Sequence, residues 1–178
     1  PEKLHKLTVM NVPHPAVMQK FLRRDFEQMR RSWYVGFFQI PWLPEKIFTT
    51  NNFRRLARAV QGSAKKNSYT DADMEKYKEA WSQPDAITSM LNWYRAIVQH
   101  PPQLPEDVRV KVRALMMWGM KDFALSHRMA RPSMDYCDEG NLILFPEATH
   151  WVHLDAADEV NHYLIDFLLD SITKRAIK

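Results

Sequence analysis

The feature that most constrains the fold is the stretch Asn141 to Leu169, which reads NLILFPEATHWVHLDAADEVNHYLIDFLL. It begins with a short apolar run, Leu142 to Phe145, that has the length of a buried strand. It ends with apolar residues at helical spacing from Val160 to Leu168, which predicts a helix. His150 lies in the loop between them. Because open α/β sheets carry their chemistry at the carboxyl ends of strands, His150 is a candidate functional residue.

An aspartate holds the corresponding position after the preceding strand. Arg113 to Trp118 is a second run of strand length, and Asp122 follows it closely. A carboxylate that accepts from histidine Nδ1 fixes the tautomer and leaves Nε2 free as a base. Alone, Asp122 fits the N-cap of a following helix equally well, and a lone loop histidine usually has no catalytic task. Because Asp122 and His150 each follow a predicted strand, their positions favour an acid–histidine pair, the last two members of a catalytic triad.

The remaining sequence predicts one more strand and a series of helices. Leu7 to Met10 is an apolar run of strand length. Helical spacing or composition predicts helices at 16–31, 51–59, 75–81, 84–99 and 126–134. Thr70 and Asp73 have the spacing of a capping box, which would start the third of these helices.

Strands that alternate with helices predict an α/β protein with a parallel sheet of about three strands. The block of consecutive helices is interpreted as an insertion, a cap, between two crossover units. This interpretation divides the chain into a core strand at 1–13, a helical cap domain at 14–90 and the C-terminal part of the core at 91–178. So small a sheet would leave a strand edge open.

Two tyrosines in aromatic surroundings form a second candidate group. Tyr34 lies in the segment Ser32 to Glu45, whose poor periodicity fits a lid, a membrane-facing patch or a core segment. Tyr94 lies in the predicted helix at 84–99. Composition alone favours two packed tyrosines. Two phenols aimed at one oxygen could instead bind that oxygen and donate a proton as charge develops on it.

Composition excludes several classes of function. The single cysteine, Cys137, excludes an internal disulfide framework and indicates a reducing compartment, so a cytoplasmic location is expected. No segment reaches the roughly 20 apolar residues of a membrane span. The net charge of +4 is spread along the chain, and the basic stretch from Arg54 to Lys66 favours a solvated helix face over a nucleic-acid site. Because metal-ligand clusters and glycine-rich phosphate loops are missing, neither a metal nor a cofactor is expected.

With these residues in view, the chain resembles epoxide hydrolases of the α/β-hydrolase fold over nearly its whole length. The similar motifs are LTVMNVPHP (7–15, strand and exit into the cap), YVGFFQIPWLPE (34–45, first tyrosine), LNWYR (91–95, second tyrosine), WGMKD (118–122, acid loop) and ATHW (148–151, histidine loop). Two tyrosine motifs combined with both triad motifs argue against haloalkane dehalogenases, which share the fold but not this tyrosine pair.

The resemblance implies a role for each of these residues. Tyr34 and Tyr94 would bind the epoxide oxygen and protonate the opening alkoxide. His150, oriented by Asp122, would activate the water that hydrolyses an ester intermediate to a diol. The first tyrosine motif also contains the aromatic residues Phe37, Phe38 and Trp42. They would line a pocket for a small apolar epoxide, or equally would pack between cap helices.

The sequence departs from the family in one large respect. The family's N-terminal half carries an oxyanion loop and a nucleophile elbow with its aspartate, and no Gly-x-Asp-x-Gly or Gly-x-Ser-x-Gly occurs here. The chain opens on Pro1 rather than Met, which indicates a chain that is cut, processed or only partly represented. We therefore expect a cap plus part of a core, inactive alone, with the missing N-terminal half as its partner.

Two alternatives stay open from the sequence. The first is another capped α/β-hydrolase, such as an esterase or a dehalogenase. The second is a natural fragment without activity that acts as a binding module or complements a partner chain, since an incomplete sheet exposes a strand edge and apolar faces.

Overall fold

A computed structural model describes residues 3–169 of the chain. The described residues divide into two compact units, one formed by 3–29 with 104–169 and the other by 30–103. The helices, in chain order, are α1 (Pro15–Arg24), α2 (Phe26–Arg31), α3 (Trp33–Phe37), α4 (Leu43–Ser63), α5 (Asp71–Trp81), α6 (Ala86–Gln99), α7 (Ala130–Met134), α8 (Val152–Asp155) and α9 (Ala157–Leu168). A 3-10 turn at His127–Met129 precedes α7.

The first unit contains a parallel sheet of β1 (Lys6–Met10), β2 (Arg113–Gly119) and β3 (Gly140–Phe145). β2 lies in the middle and pairs in parallel with both neighbours. Every residue of β2 from Ala114 to Gly119 is buried, as expected for a strand that is covered on both faces. The structure thus confirms the three predicted strands and their parallel arrangement.

Alternate residues of β2 face opposite sides of the sheet, and a separate apolar cluster covers each side. One cluster joins the sheet to α8 and α9 and contains Leu115, Met117, Phe145, Val152, Val160 and Phe167. The other joins it to α1 and α7 and contains Val17, Met116, Trp118, Met129 and Ala130. The sheet is therefore the middle layer of the first unit.

The second unit is helical and has an apolar cluster of its own. Its buried members come from α4, α5 and α6: Phe53, Ala57, Met74, Trp81, Ile87 and Leu91. The Thr70–Asp73 capping box is confirmed at the start of α5, where each side chain binds the other residue's backbone N–H. Within residues 3–169, no helix combines the length and the apolar character needed to cross a bilayer.

These clusters place the unit boundaries elsewhere than the sequence pattern predicted. The predicted cap at 14–90 included α1, but Val17 of α1 packs against Trp118 of the sheet. The same prediction ended the cap at position 90, but α6 continues to Gln99 and its Leu91 packs with Phe53. The two compact units meet at 29/30 and 103/104.

Two predicted helices also differ from the observed ones. The helix predicted at 16–31 is two helices, because Asp25 is extended and its side chain accepts from the backbone N–H of Gln28, 2.8 Å away. The helix predicted at 51–59 belongs to the longer α4, which non-helical backbone interrupts from Thr50 to Phe53.

Candidate active site

Asp122 lies just past the end of β2 with its side chain fully buried. One carboxylate oxygen, Oδ1, accepts from the backbone N–H groups of Ala124 and Leu125 at 2.8 and 2.9 Å. The other, Oδ2, accepts from Asn11 Nδ2 at 2.7 Å and lies 2.8 Å from His150 Nδ1. Asp122 caps no helix, since the next helical turn begins at His127. A buried carboxylate needs such partners, and these fix its orientation toward the histidine.

His150 lies in the loop between β3 and α8, with 29% of its side chain exposed. Its Nδ1 faces Asp122, while its Nε2 has no hydrogen bond to any described residue. The rings of Phe123 and Trp151 stand edge-on to the imidazole, with centroids 6.0 and 5.4 Å away. This geometry suits a base whose tautomer is set by Asp122 at Nδ1 and whose Nε2 makes no hydrogen bond to a described residue.

Asn11 was not predicted as a site residue from the sequence, yet its side chain holds the Asp122 carboxylate in place. Asn11 directly follows β1, has a left-handed φ of 50° and is 1% exposed. Its Nδ2 donates to Asp122 Oδ2 and, at 3.3 Å, to the carbonyl oxygen of Thr149. Its Oδ1 accepts from the backbone N–H of Gly119 at 3.1 Å. A polar residue at the carboxyl end of a buried strand, on the same sheet edge as Asp122, was the signal that could have found it.

Gly119, the last residue of β2, allows the histidine loop to approach the strand. A Cβ atom at this position would lie 2.0 Å from the carbonyl oxygen of Thr149 and 2.7 Å from that of Ala148. Both distances are far below van der Waals contact, so any side chain would displace the loop that carries His150.

The second unit brings the two predicted tyrosines together. Tyr34 of α3 and Tyr94 of α6 have ring centroids 5.8 Å apart and ring planes at 81°, an edge-to-face arrangement. Phe38 contacts both, with centroid distances of 5.5 Å to Tyr34 and 4.9 Å to Tyr94. Burial raises the pKa of the Tyr94 phenol, so this group stays protonated at neutral pH and can donate a hydrogen bond.

The three predicted pocket residues have different surroundings. Phe38 packs against the tyrosine pair and Phe48. Phe37 is partly buried between Trp33 and Phe38. Trp42, in contrast, is 67% exposed. Within residues 3–169, the structure has no group of three or more His, Cys, Asp or Glu side chains that could hold a metal ion.

Comparison with known proteins gives the chain relatives along nearly its whole length. It is 37% identical to the AB hydrolase superfamily protein YfhM of Bacillus subtilis, over 94% of this chain and 58% of that protein. It is 34% identical to epoxide hydrolase 4 of Homo sapiens, over 98% of this chain and 49% of that protein. The chain thus spans about half the length of the relatives it matches. No protein-family model matches it.

A solved structure agrees with the sequence relatives. The crystal structure of an epoxide hydrolase from Bacillus megaterium, in complex with an inhibitor, superimposes with a TM-score of 0.84 at 25% identity. The match covers 94% of this chain and 62% of that one. The predicted α/β-hydrolase class of fold is confirmed. The chain is therefore homologous to proteins named AB hydrolase and epoxide hydrolase, and its fold matches the C-terminal part of epoxide hydrolases of the α/β-hydrolase fold.

Proposed function

We propose that these residues belong to an epoxide hydrolase that opens a small apolar epoxide to a vicinal diol through a covalent ester intermediate. The observation that carries the proposal is the ring pair of Tyr34 and Tyr94, 5.8 Å apart. An acid–histidine pair serves many hydrolases, because all of them need a base for water. Two phenols side by side suit a reaction in which an ether oxygen takes up negative charge.

In the proposed reaction, Tyr34 and Tyr94 bind the epoxide oxygen and the alkoxide receives a proton from one of them. A phenol with an ordinary pKa near 10 is a weak acid that stays protonated at neutral pH. The raised pKa of Tyr94 strengthens this tendency in the free protein. The proton therefore moves only when the C–O bond breaks and the oxygen becomes strongly basic.

His150 and Asp122 serve the second step, the hydrolysis of the ester. Asp122 Oδ2 accepts from Nδ1–H, so Nε2 is the basic nitrogen and removes a proton from the attacking water. The imidazolium that forms is stabilised by the adjacent buried carboxylate. Water attack then releases the diol and regenerates the nucleophile.

The first step needs a carboxylate nucleophile, which attacks an epoxide carbon and becomes the ester. The 178 residues contain no elbow motif that could supply it. We propose that the nucleophile comes from a segment outside them, the partner of this part of the fold. Of the proposed pocket residues, Phe38 has the strongest support because its ring contacts both tyrosines.

The test is epoxide turnover by the complete gene product, purified with nothing removed. Replacing both tyrosines, Tyr34→Phe with Tyr94→Phe, is expected to reduce diol formation at least 100-fold, by the scale of about 10²–10⁴ for lost general acid catalysis. Tyr77→Phe, on α5 of the same unit, is the matched control and should keep the wild-type rate.

Parallel assays with an ester and a haloalkane separate the proposal from its alternatives. Wild-type protein that hydrolyses either of these but not the epoxide would contradict the proposal. Wild-type rates in the double tyrosine variant would remove both tyrosines from the chemistry. In single turnover in ¹⁸O-labelled water, a covalent ester predicts that the first diol formed carries unlabelled oxygen from the carboxylate.

A further inference from the structure

Arg95 follows Tyr94 on α6 and turns its guanidinium to the segment that carries Tyr34. Its Nε donates to the carbonyl oxygen of Phe38 at 2.9 Å, and one terminal nitrogen donates to that of Ile40 at 3.2 Å. The other terminal nitrogen donates to Glu45 Oε1 at 2.7 Å. One side chain thus binds α6 to three points between 38 and 45.

The ion pair with Glu45 is partly buried. Side-chain exposure is 15% for Arg95 and 20% for Glu45. The second oxygen of Glu45 is buried and has no hydrogen-bond partner among the described residues. Water therefore screens the pair less than it would screen a fully exposed pair. The pKa of Glu45 lies below its usual range, chiefly because of the hydrogen bond from Arg95.

Short links connect this ion pair to both tyrosines. The backbone N–H of Phe38, whose carbonyl oxygen Arg95 binds, donates to the carbonyl oxygen of Tyr34 at 2.9 Å. The Phe38 ring contacts both tyrosine rings. A second bridge runs through Gln39, whose Nε2 donates to the carbonyl oxygens of Val35 and Tyr94 at 3.0 and 3.2 Å.

We propose that Arg95, held by Glu45, is a positioning residue that sets the distance and angle between the Tyr34 and Tyr94 rings. The effect of Arg95 on catalysis rests on the proposed function. Its effect on the positions of the two tyrosine rings can be tested independently of that function. A lysine cannot replace the arginine, because its single ammonium cannot reach two carbonyl oxygens and a carboxylate in fixed directions. Arg95 is outside the reacting groups and acts only through the tyrosines.

The experiment compares Arg95→Lys, Arg95→Met and Glu45→Gln in the complete gene product. Arg58→Lys, an exposed arginine on α4 of the same unit, is the matched control. Ring-labelled tyrosine is followed by NMR, and Tyr34→Phe and Tyr94→Phe assign the cross-peaks. Wild type and Arg58→Lys should show a ring-to-ring NOE between the two tyrosines, since their centroids are 5.8 Å apart. The two Arg95 variants should lose it.

Kinetics supply a second readout that general destabilisation would not reproduce. Rates of ester formation should fall about tenfold to 100-fold in Arg95→Lys, the scale of a misplacement of about 1 Å. Rates of ester hydrolysis should stay near wild type, because Asp122 and His150 belong to the other unit. Glu45→Gln should lie between Arg95→Lys and wild type.

Each outcome bears on one claim. A wild-type NOE in both Arg95 variants overturns the positioning role, and so does an equal fall of both kinetic steps. Loss of the NOE in the folded Arg95→Lys protein supports the role even if Arg95→Met fails to fold. A wild-type protein without epoxide turnover contradicts the proposed function, while the NOE still decides the role of Arg95.

Discussion

The amide of Asn11 lies where the carboxyl ends of the three strands meet. It binds the Asp122 carboxylate, the backbone of Gly119 at the end of β2 and the carbonyl oxygen of Thr149 after β3. Asparagine suits the position because it tolerates a left-handed backbone and offers a donor and an acceptor on one short side chain. The acid–histidine geometry therefore depends on a third residue of the first unit.

Replacing Asn11 by alanine should weaken both the fold and the proposed ester hydrolysis. The change removes one partner of the buried Asp122 carboxylate and the bond from the Gly119 N–H, at a cost of about 2 kcal/mol in the free energy of unfolding. Urea unfolding measures this cost, with Asn161→Ala on the exposed face of α9 as the control. Asn11→Gly relieves the backbone strain but lacks the amide. A glycine variant as stable as wild type would show that the amide contributes no more than the backbone strain costs.

Tyr94 should make the folded protein sensitive to alkaline pH. Burial raises its pKa in the folded state, whereas an unfolded phenol titrates near pH 10. Above pH 10 the folded chain still holds a proton that the unfolded chain has lost. Stability that is fully present below pH 10 is therefore lost as pH rises through the folded-state pKa.

The measurement is the free energy of unfolding between pH 8 and 11, an interval that brackets the phenol titration near pH 10. Tyr94→Phe should flatten the decline relative to wild type, because phenylalanine has no proton to lose. Tyr77→Phe serves as the control and should keep the wild-type slope. A wild-type slope in Tyr94→Phe would contradict the role of burial.

At the scale of elements, the short helix α2 holds the loop that follows Asp122. Gln28 is fully buried; its Nε2 donates to the carbonyl oxygen of Ala124, and its Oε1 accepts from the N–H of Ser126, both at 2.9 Å. Arg128 adds ion pairs to Asp25 and Glu27 at the start of α2. The extended backbone at Asp25 separates α2 from α1.

Gln28→Leu should destabilise the protein by about 2–3 kcal/mol, because it keeps the volume but leaves two buried backbone groups unpaired. The midpoint of urea unfolding should fall with little change in its slope. Gln99→Leu, at the exposed end of α6, is the control for the same substitution. A loss below 0.5 kcal/mol, the usual range for surface changes, would mean that the amide bonds are not needed.

At the scale of the whole molecule, the two units carry different parts of the proposed chemistry. The tyrosine pair belongs to residues 30–103, and the acid–histidine pair belongs to the unit with the sheet. The match to epoxide hydrolases covers about half of those proteins. The proposed reaction needs a carboxylate that the 178 residues do not supply in an elbow motif.

A polypeptide limited to the 178 residues should therefore form no diol from an epoxide. The 178-residue polypeptide and the complete gene product are assayed at equal molar concentration, and the diol is detected by chromatography. Robust turnover by the 178 residues alone would contradict the assignment of the nucleophile to another segment. Their mass of 21.1 kDa allows intact-mass measurement to verify that no second chain is present.

The sequence by itself determined the features that depend on local patterns. Apolar runs of strand length predicted β1, β2 and β3, and their alternation with helices predicted the parallel sheet. Asp122 and His150 could be named because each follows a strand of that sheet. Tyr34 and Tyr94 could be named as candidates from their aromatic surroundings, but only family resemblance distinguished them from packed tyrosines. Their catalytic roles stay predictions.

Only the tertiary structure decided which distant residues complete the two groups. Asn11 lies 111 positions from Asp122, and Arg95 lies 50 positions from Glu45, so no local pattern connects either pair. The unit boundaries could not be predicted from the sequence either. Periodicity shows that Val17 and Leu91 are buried, but it does not show in which apolar cluster each one packs. Periodicity indicates which face of a helix or strand is buried. The residues that pack against that face are determined by long-range packing and hydrogen bonding.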